Sequence, residues 1–571
     1  MSTATTPGVV CGVGVGRSAV IAPLALVRPA PVVPQETHRL TEPADIAAAI
    51  ATAEKALAER AGELAEQAAA APGALGEVLL ATAGMAADPE LVGLVRARIE
   101  NGQGAAAAVD GAVTEVISML TAAGGLFAER STDLRSVRDH VVARILQLPA
   151  PGLPELRQMF VVCAADLSPA DTAALDLEKV AALITEAGGP TGHTAIIARQ
   201  LGIPCVVRAV GATRIPEGTL VAVDAANGTV TANPDPALTA AIRRRAETER
   251  VLAEDIAPGA TADGRPVPLL ANVGTPQEME QLDAGVVEGV GLFRTEVLFL
   301  DAVTAPSREQ QGPQYARALA AMKGAKTVVR TLDAGADKPL AFAVHEDEDN
   351  PALGVRGYRL VRTQPQLLEE QLAALGETAL ALAPEDRANL WVMAPMISTP
   401  AEARTFARLA RAHGIQTVGV MIEVPAAALQ AAAILDEVDF ASVGTNDLAQ
   451  YTMATDRLRG ELADLLDPWQ PAVLGLVAAT ARAGTAAAKP VGVCGESASD
   501  PLMALALTGM GVTSLSMSAP ALPAVRHALR HHSLAQCKAI AEAVLGAQSA
   551  EEARKAARAL ADAQMVARLG L

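Results

Sequence analysis

The sequence predicts an α/β protein, with a C-terminal (β/α)8 TIM barrel and an N-terminal α/β domain that is interrupted by an inserted helical bundle. One observation is a series of eight short apolar runs between residues 269 and 518, separated by segments with helical spacing. A stretch of about 250 residues is the usual length of an eight-stranded parallel barrel. A second observation is that strand-like patterns at residues 8–32 resume at 158–233, after an all-helical stretch. A doubly wound open sheet is the alternative for the C-terminal half, and it explains eight units less readily.

The segment at residues 8–32 is rich in Gly and Val, which is typical of strands and turns. Ala, Leu and Val then recur at helical spacing, with Gly and Pro at the breaks. The predicted helices cover residues 45–71, 75–87, 89–100, 105–123 and 133–148. We therefore expect a helical block inserted into the N-terminal α/β domain.

Strand patterns return after this block. Strands are predicted at residues 159–164, 180–184 and 205–207, and across 220–231 with a turn at Asn227-Gly228. A glycine-rich approach leads to His193 and to a short predicted helix at 195–201. An Arg- and Glu-rich helix is predicted at 237–254, either as a spacer between domains or as an ordinary surface helix.

The second half of the chain carries the predicted barrel strands, at residues 269–273, 289–293, 327–329, 392–396, 418–422, 440–443, 491–493 and 514–518. Charged side chains follow several of these strands. In a parallel barrel, the carboxyl ends of the strands line the active site. We therefore expect the side chains that follow the strands to meet in one pocket.

The arginines at these positions indicate an anionic ligand. A guanidinium group binds phosphate or carboxylate through two parallel hydrogen bonds. Glu423 and Asp447, on neighbouring strands, offer the hard oxygen ligands that Mg²⁺ prefers. The alternative is a set of salt bridges that closes the barrel rim, which we would favour for a single pair. For several charges at one end of a barrel we favour a site. Arg294 and Arg330 lie at strand ends, and Arg356 and Arg457 lie in the intervening loops.

Cys494 and His193 are the candidate reactive side chains. A lone thiol at a strand end is most often a packing residue, but a thiol that keeps its proton at neutral pH can protonate an enol carbon. His193 precedes a predicted helix, whose N-terminus favours a phosphoryl group, and an imidazole can attack phosphorus. A helix-capping histidine is the alternative. His531 and His532 are interpreted as solvated surface side chains.

Composition disfavours several classes of protein. The chain has 46 Lys+Arg and 64 Asp+Glu, a net charge of −18, which argues against a nucleic-acid binder because phosphate backbones repel such a surface. Five scattered cysteines without a CxxC pair argue against structural zinc and disulfides and favour a reducing cytoplasm. The longest apolar run near the N-terminus contains Pro23 and is too short to span a bilayer. We expect a cytoplasmic protein that does not enter the membrane.

Four motifs resemble those of the phosphoenolpyruvate-utilising enzymes. Their order and spacing are similar to those of the enzyme I family of the bacterial phosphotransferase system, from about Gly8 to Arg530. Together they are far more specific than any one of them. The motifs are GGPTGHTAIIAR at residues 188–199, GLFRTE at 291–296, GTNDL at 444–448 and GVCGE at 492–496.

The resemblance implies an activity. The family takes the phosphoryl group of phosphoenolpyruvate onto a histidine, here His193, and passes it to a histidine of the small carrier protein HPr, the first step of sugar uptake. It implies that Glu423 and Asp447 hold Mg²⁺ and that Cys494 protonates enolpyruvate. The implied substrate-binding residues are Arg294, Arg330, Arg356, Asn446, Asp447, Arg457 and Lys338.

The resemblance also implies a division into domains. Residues 1–32 and 150–235 would form a swivelling phosphohistidine domain, and residues 33–149 a helical domain that docks HPr. Residues 236–260 would form a linker helix. Residues 261–571 would form the phosphoenolpyruvate-binding barrel, which also makes a homodimer.

Two departures from the family pattern stand out. Gly192 replaces the small hydroxyl residue that commonly precedes the histidine, and the stretch at residues 82–88 has small side chains where the family has a histidine and bulky apolar residues. A pyruvate, phosphate dikinase or phosphoenolpyruvate synthase is the nearest rival, but it would add a large ATP-binding domain. A non-catalytic regulator is disfavoured because the set of barrel motifs is intact.

Overall fold

The structure is a computed structural model. It describes residues 8–16, 18–28, 30–34, 39–70, 74–123, 126–152, 158–167, 179–189, 194–195, 198, 203–282, 286–299, 302, 304–335, 340, 342–343, 348–457 and 460–571. The chain forms two compact units, Met1–Ile242 and Arg243–Leu571.

The first unit contains an eight-stranded mixed sheet with the strand order β1-β8-β7-β3-β4-β5-β6-β2. The strands β3 to β6 pair in parallel, and the flanking strands pair antiparallel. The strands are β1 (Val9–Cys11), β2 (Val13–Val15), β3 (Ala19–Leu26), β4 (Phe160–Ala164), β5 (Val180–Thr185), β6 (Cys205–Val207), β7 (Leu220–Asp224) and β8 (Thr229–Ala232).

Both faces of the sheet centre are buried, as expected for parallel strands. Val161 and Cys163 of β4 pack into one apolar cluster, and Val162 and Ala164 pack into another on the opposite face. This alternation follows from the two-residue period of a strand. It explains why β4 and β5 are continuous apolar runs in the sequence.

A helical bundle lies in the same unit, between β3 and β4 in the chain. Leu57, Val95, Ile99 and Val141 are among the fully buried side chains of its core. Asp88 caps the third helix, because its carboxylate accepts a 2.7 Å hydrogen bond from the amide of Glu90. The helices are α1 (Pro43–Ala70), α2 (Ala74–Ala86), α3 (Pro89–Glu100), α4 (Ala105–Ala123) and α5 (Leu126–Ile145).

The second unit contains a closed barrel with the order β10-β11-β12-β13-β14-β15-β16-β9, in which every neighbouring pair is parallel. Gly419 is required by packing, because a Cβ there would lie 2.4 Å from the Phe440 ring. The strands are β9 (Leu269–Val273), β10 (Gly289–Arg294), β11 (Lys326–Arg330), β12 (Leu390–Ala394), β13 (Thr417–Ile422), β14 (Phe440–Gly444), β15 (Val491–Cys494) and β16 (Ser514–Met517).

Proline begins many helices of this unit, where its missing N–H group costs no hydrogen bond. Thr275 and Thr399 cap two of them by accepting hydrogen bonds from the amides of Glu278 and Glu402. The helices are α6 (Pro236–Ala253), which leads into the unit, α7 (Pro276–Gln281), α8 (Arg308–Ala321), α9 (Pro365–Ala381), α10 (Pro384–Arg387), α11 (Pro400–Ala412), α12 (Pro425–Leu429), α13 (Ala431–Glu437), α14 (Thr445–Thr452), α15 (Pro471–Ala487), α16 (Pro501–Met510), α17 (Leu522–Arg530), α18 (Leu534–Leu545), α19 (Ala550–Leu560) and α20 (Ala563–Leu569).

The predicted fold class is confirmed: all eight barrel strands form, and the sheet closes rather than remaining open. Two predicted boundaries are wrong. The fourth barrel strand is Leu390–Ala394 rather than 392–396, because Met396 leaves the extended conformation with a φ of 58°. The last bundle helix begins at Leu126 rather than at 133.

The interpretation of the histidine pair is half wrong. His531 is exposed, but His532 is fully buried. Its Nε2 accepts a 2.9 Å hydrogen bond from the amide of Asp562, and its Nδ1 lies 2.8 Å from the carbonyl of Ala528. His532 therefore connects α17 to Asp562, the residue that precedes α20.

Among the helices that the structure describes, none combines the length and the apolar character needed to cross a bilayer.

Candidate active site

Five of the predicted site residues lie at the carboxyl ends of barrel strands. Arg294 ends β10, Arg330 ends β11 and Cys494 ends β15. Glu423 directly follows β13, and Asp447 lies in the first turn of α14, after β14. Five of the eight barrel strands therefore deliver these side chains to one end of the barrel.

Arg330 is buried, with 3% of its surface exposed, and lies between two carboxylates. Its Nη2 donates to Glu296, and its Nη1 lies 3.0 Å from Oδ2 of Asp333. Burial alone would lower the pKa of this guanidinium, but the negative charges of Glu296 and Asp333 outweigh it, so the pKa is raised. Arg330 remains a cation despite its burial.

Arg356 is fully buried and connects two strand ends. Its Nη2 lies 3.3 Å from both carboxylate oxygens of Asp333, and its Nη1 lies 3.2 Å from Oδ1 of Asp447 and 3.3 Å from the hydroxyl of Tyr451. These negative charges raise the pKa of Arg356 above its usual value, against the effect of burial. Its Nε finds no hydrogen-bond partner within the described parts of the chain.

Asp447 also meets a second cation. Its Oδ2 lies 3.4 Å from Nη1 of Arg457, whose side chain is 16% exposed. Asn446, the residue before it, is exposed at the start of α14. Arg330, Asp333, Arg356, Asp447 and Arg457 thus form one continuous series of ion pairs.

Glu423 is buried, and its Oε2 accepts a 2.9 Å hydrogen bond from the amide of Met396. Burial and the nearby negative charges of Asp447 and Asp333 raise the pKa of Glu423 to about 7, and the charge of Arg330 opposes this shift. Met396, whose amide donates this hydrogen bond, has a left-handed backbone conformation with a φ of 58°. Carboxylates held this close repel each other, so the site favours an added positive charge.

Arg294, at the end of β10, is partly exposed, unlike the buried Arg330 and Arg356. Desolvation and the adjacent charge of Arg330 lower its pKa. Within the described residues, no ion pair joins Arg294 to a carboxylate. Arg294 is therefore the guanidinium that is most available to an incoming anion.

Cys494 points into the barrel, where it packs with Leu292 and Met421. Its Sγ accepts a 3.2 Å hydrogen bond from Oγ of Ser442 and lies 3.6 Å from the carbonyl of Val443. Burial raises the pKa of the thiol to about 11, although Ser442 and the nearby arginines act in the opposite direction. Cys494 therefore holds its proton at neutral pH.

Two predicted site residues, His193 and Lys338, lie outside the described residues. The predicted sites also omitted groups that the structure places there. Asp333 bridges Arg330 and Arg356, Glu296 pairs with Arg330, and the Tyr451 hydroxyl meets Arg356. Asp333 and Glu296 could have been predicted as site residues from their position alone, because each follows the end of a barrel strand by two or three residues.

The donor set at this rim fits Mg²⁺. No group of three or more His, Cys, Asp or Glu side chains that could hold a metal ion occurs among the described residues. Mg²⁺ does not need one, since it usually takes one or two carboxylates and completes its shell with water and phosphate oxygens. Glu423 and Asp447 supply two hard oxygen donors whose mutual repulsion a divalent cation would relieve.

Taken together, the rim can bind a small, strongly anionic molecule. The guanidinium groups of the arginines and the two carboxylates lie at one end of the barrel. The protonated thiol of Cys494 is at the same end, on β15, which is next to β14. Buried arginines in fixed positions are suited to phosphate oxygens, since little reorganisation is needed when the ligand arrives.

Family models match most of the chain. A PEP-utilising enzyme N-terminal domain matches residues 5–130, a PEP-utilising enzyme mobile domain matches residues 156–228, and a PEP-utilising enzyme PEP-binding domain matches residues 248–534. The chain belongs to the family of PEP-utilising enzymes.

Within that family, the chain is similar to phosphoenolpyruvate-protein phosphotransferases. It is 47% identical over 556 residues to the one from Streptomyces coelicolor, covering 97% of this chain and 98% of the relative. It is 39% identical over 480 residues to the one from Haloferax volcanii, covering 81% and 83%. A solution structure described as that of an enzyme I protein is 30% identical, covers 42% of this chain and 99% of that chain, and has a TM-score of 0.37.

Proposed function

We propose that this chain is a phosphoenolpyruvate–protein phosphotransferase. It transfers the phosphoryl group of phosphoenolpyruvate to its own His193, and then to a histidine of the carrier protein HPr, the first step of sugar uptake by the phosphotransferase system. The observation that carries this proposal is the series of ion pairs from Arg330 to Arg457 at the carboxyl end of the barrel. The cost of removing charged groups from water can exceed the attraction that a buried ion pair gains, so buried ion pairs are weak evidence for a stabilising role. A series of them at one end of a barrel therefore indicates a binding role.

Binding is the first task of this rim. Phosphoryl transfer depends mostly on position and on neutralising the charge of the equatorial oxygens. Arg294, Arg330 and Arg457 would bind the phosphate, with Asn446 and Lys338 as further substrate contacts. Arg356 holds Asp333 and Asp447 in place beneath them, with polar distances of 3.2–3.3 Å. When bound by Glu423 and Asp447, Mg²⁺ would supply further positive charge at the phosphoryl oxygens.

The chemical step assigns one role to each reactive side chain. The imidazole of His193 attacks phosphorus in line, and the bond between phosphorus and the enol oxygen breaks with its electron pair leaving on oxygen. The enolpyruvate that results accepts a proton on carbon and becomes pyruvate. The thiol of Cys494 is suited to give this proton, because its pKa of about 11 keeps it protonated at neutral pH.

The remaining assignments concern domains and partners. Residues 1–32 and 150–235 would carry His193, residues 33–149 would dock HPr, and residues 236–260 would link them to the barrel at 261–571, which forms the homodimer. The small side chains at 82–88 would alter the docking of HPr in detail. All five cysteines are free, which favours the reducing cytoplasm.

Radiolabelled phosphoenolpyruvate tests the proposal. With Mg²⁺ present, the protein should gain an acid-labile label and pass it to added HPr. His193→Ala should abolish the label, whereas His531→Ala, which changes an exposed histidine, should label as the parent protein does. Equal labelling of the His193→Ala protein would refute the assignment of the nucleophile, and labelling that needs ATP and pyruvate would favour a dikinase.

A further inference from the structure

The barrel interior contains a small cavity on the side away from the arginines. Its volume is about 20 Å³, and its mostly apolar lining includes four polar residues, Lys326, Ser442, Ser514 and Ser516. Three serine side chains and an ammonium group are unusual in the core of a barrel, which is normally filled by branched apolar residues. A cavity of this size has room for one water molecule, and these polar residues offer it hydrogen-bond partners.

Ser442 connects this cavity to Cys494. It lines the cavity and also donates the 3.2 Å hydrogen bond to the sulfur. Cys494 is not part of the cavity lining, so Ser442 is a residue that both lines the cavity and contacts the thiol. The thiol itself is buried, with 2% of its surface exposed.

Lys326, the first residue of β11, also lines the cavity. Its Nζ lies 3.5 Å from the centroid of the Trp391 ring, and this ring packs against Phe440 at 4.7 Å between centroids. Desolvation lowers the pKa of Lys326 to about 8. The Lys326 residue is partly exposed.

We propose that Ser442 and Lys326 form a proton path that reprotonates Cys494 from the amino-terminal side of the barrel, through one water in the cavity. This inference rests on the proposed role of Cys494 as the acid that protonates enolpyruvate. Neither residue touches the substrate, so both act through Cys494.

The proton balance of the path is simple. After Cys494 has given its proton to carbon, its thiolate takes the hydroxyl proton of Ser442. Ser442 takes a proton from the cavity water, and the water takes one from the ammonium group of Lys326. The neutral amine of Lys326 then regains a proton from bulk solvent, which restores every group.

Comparing the first turnover with steady-state turnover separates this path from phosphoryl transfer, because Cys494 needs a new proton only after its first use. Full-length enzyme is mixed with labelled phosphoenolpyruvate and Mg²⁺, and two rates are followed: label on the protein in the first turnover, and ketonic pyruvate over many turnovers with HPr in excess, detected with lactate dehydrogenase and NADH. In the Ser442→Ala protein, first-turnover label should form within about twofold of the parent rate, while steady-state pyruvate should form at least ~10-fold more slowly. Ser442→Thr, which keeps a hydroxyl, should restore pyruvate formation to within about threefold.

Lysine variants separate proton delivery from packing. Lys326→Arg keeps a cation over Trp391 but cannot release a proton at neutral pH, so it should slow pyruvate formation as much as Lys326→Met does. Thr327→Val changes a buried hydroxyl of the same strand that does not line the cavity, and should change neither rate.

The outcomes are distinguishable. Pyruvate formation at the parent rate in Ser442→Ala, or full activity in Lys326→Arg, would overturn the path. Absence of label in the parent protein would instead refute the proposed function on which the path rests.

Discussion

Nη1 of Arg356 lies 3.2 Å from Oδ1 of Asp447, and both side chains are buried. The same guanidinium reaches Asp333 on the opposite side, at 3.3 Å. Arg356 therefore holds together two carboxylates that come from different barrel strands and would otherwise repel each other. Its loss should affect both the stability and the chemistry of the rim.

Arg356→Met should reduce phosphoryl transfer from phosphoenolpyruvate by at least ~100-fold and lower the free energy of unfolding by roughly 3–5 kcal/mol, because two buried carboxylates each lose one of their two arginine partners. Labelling rate and denaturant unfolding measure the two effects. Arg359→Met is the matched control, since Arg359 donates to backbone carbonyls of Leu353 and Gly354 rather than to a carboxylate. Equal losses in both variants would contradict the assigned role of Arg356.

Gly357 permits the close packing beneath this ion pair. It has a φ of 56°, and a Cβ there would lie 2.9 Å from Cγ of Met396 and 3.1 Å from Oδ1 of Asp333. Gly357→Ala should therefore lower stability by about 1–3 kcal/mol and reduce activity. Gly264→Ala isolates the backbone contribution, because Gly264 has a φ of 81° and no atom within 4 Å of its Cβ position. A thermal melt that ranks the two variants equally would contradict the packing argument.

Glu423 and Asp447 are expected to hold Mg²⁺. Glu423→Gln and Asp447→Asn each remove one anionic oxygen donor, so each should weaken Mn²⁺ binding, followed by electron paramagnetic resonance, by at least ~10-fold. A chelator should abolish labelling by phosphoenolpyruvate. Asp349→Asn, which changes an exposed carboxylate, is the control. Unchanged metal binding in both site variants would exclude these residues as ligands.

We predict that the folded protein loses stability in acid because His532 is buried in its neutral form. Its Nε2 accepts from the amide of Asp562, so it is neutral in the fold, and burial lowers its pKa below the usual value. As the pH falls below about 6.5, the unfolded chain gains a proton that the folded chain resists. The free energy of unfolding then falls, by up to about 1.4 kcal/mol per pH unit.

Thermal melts at pH 7.5 and 5.5 measure this effect. His532→Gln should show a smaller decrease in Tm between the two pH values than the parent protein. His531→Gln, which changes the exposed neighbour, should keep the decrease of the parent. An identical decrease in the His532→Gln protein would show that other groups cause the acid sensitivity.

The fold was largely predictable because barrel strands are short apolar runs and their helices begin with clear signals. The sequences Thr275-Pro276 and Thr399-Pro400 show this, since the threonine caps the helix and the proline occupies its first position. The start of α5 was harder to predict. Its first turns read Leu126-Phe-Ala-Glu-Arg-Ser-Thr, whose residue types do not mark a clear helical face.

The candidate site was predictable as a set of positions but not as a set of contacts. Arg294, Arg330, Glu423 and Asp447 could be predicted because they end or closely follow barrel strands. That Asp333 bridges two arginines depends on Arg356 reaching back from a loop, which spacing does not reveal. The burial of His532 likewise depends on α20, which begins 31 residues later in the chain at Ala563.

We expect the arginine-rich rim of the barrel to bind phosphoenolpyruvate. The decisive measurement is calorimetry with the His193→Ala protein, which should bind the substrate without turning it over. We predict Mg²⁺-dependent binding of phosphoenolpyruvate, with Kd raised at least ~100-fold when Arg330→Met is added, because Arg330 is the buried cation between Glu296 and Asp333. Equal affinity of the two proteins, both folded, would contradict this expectation.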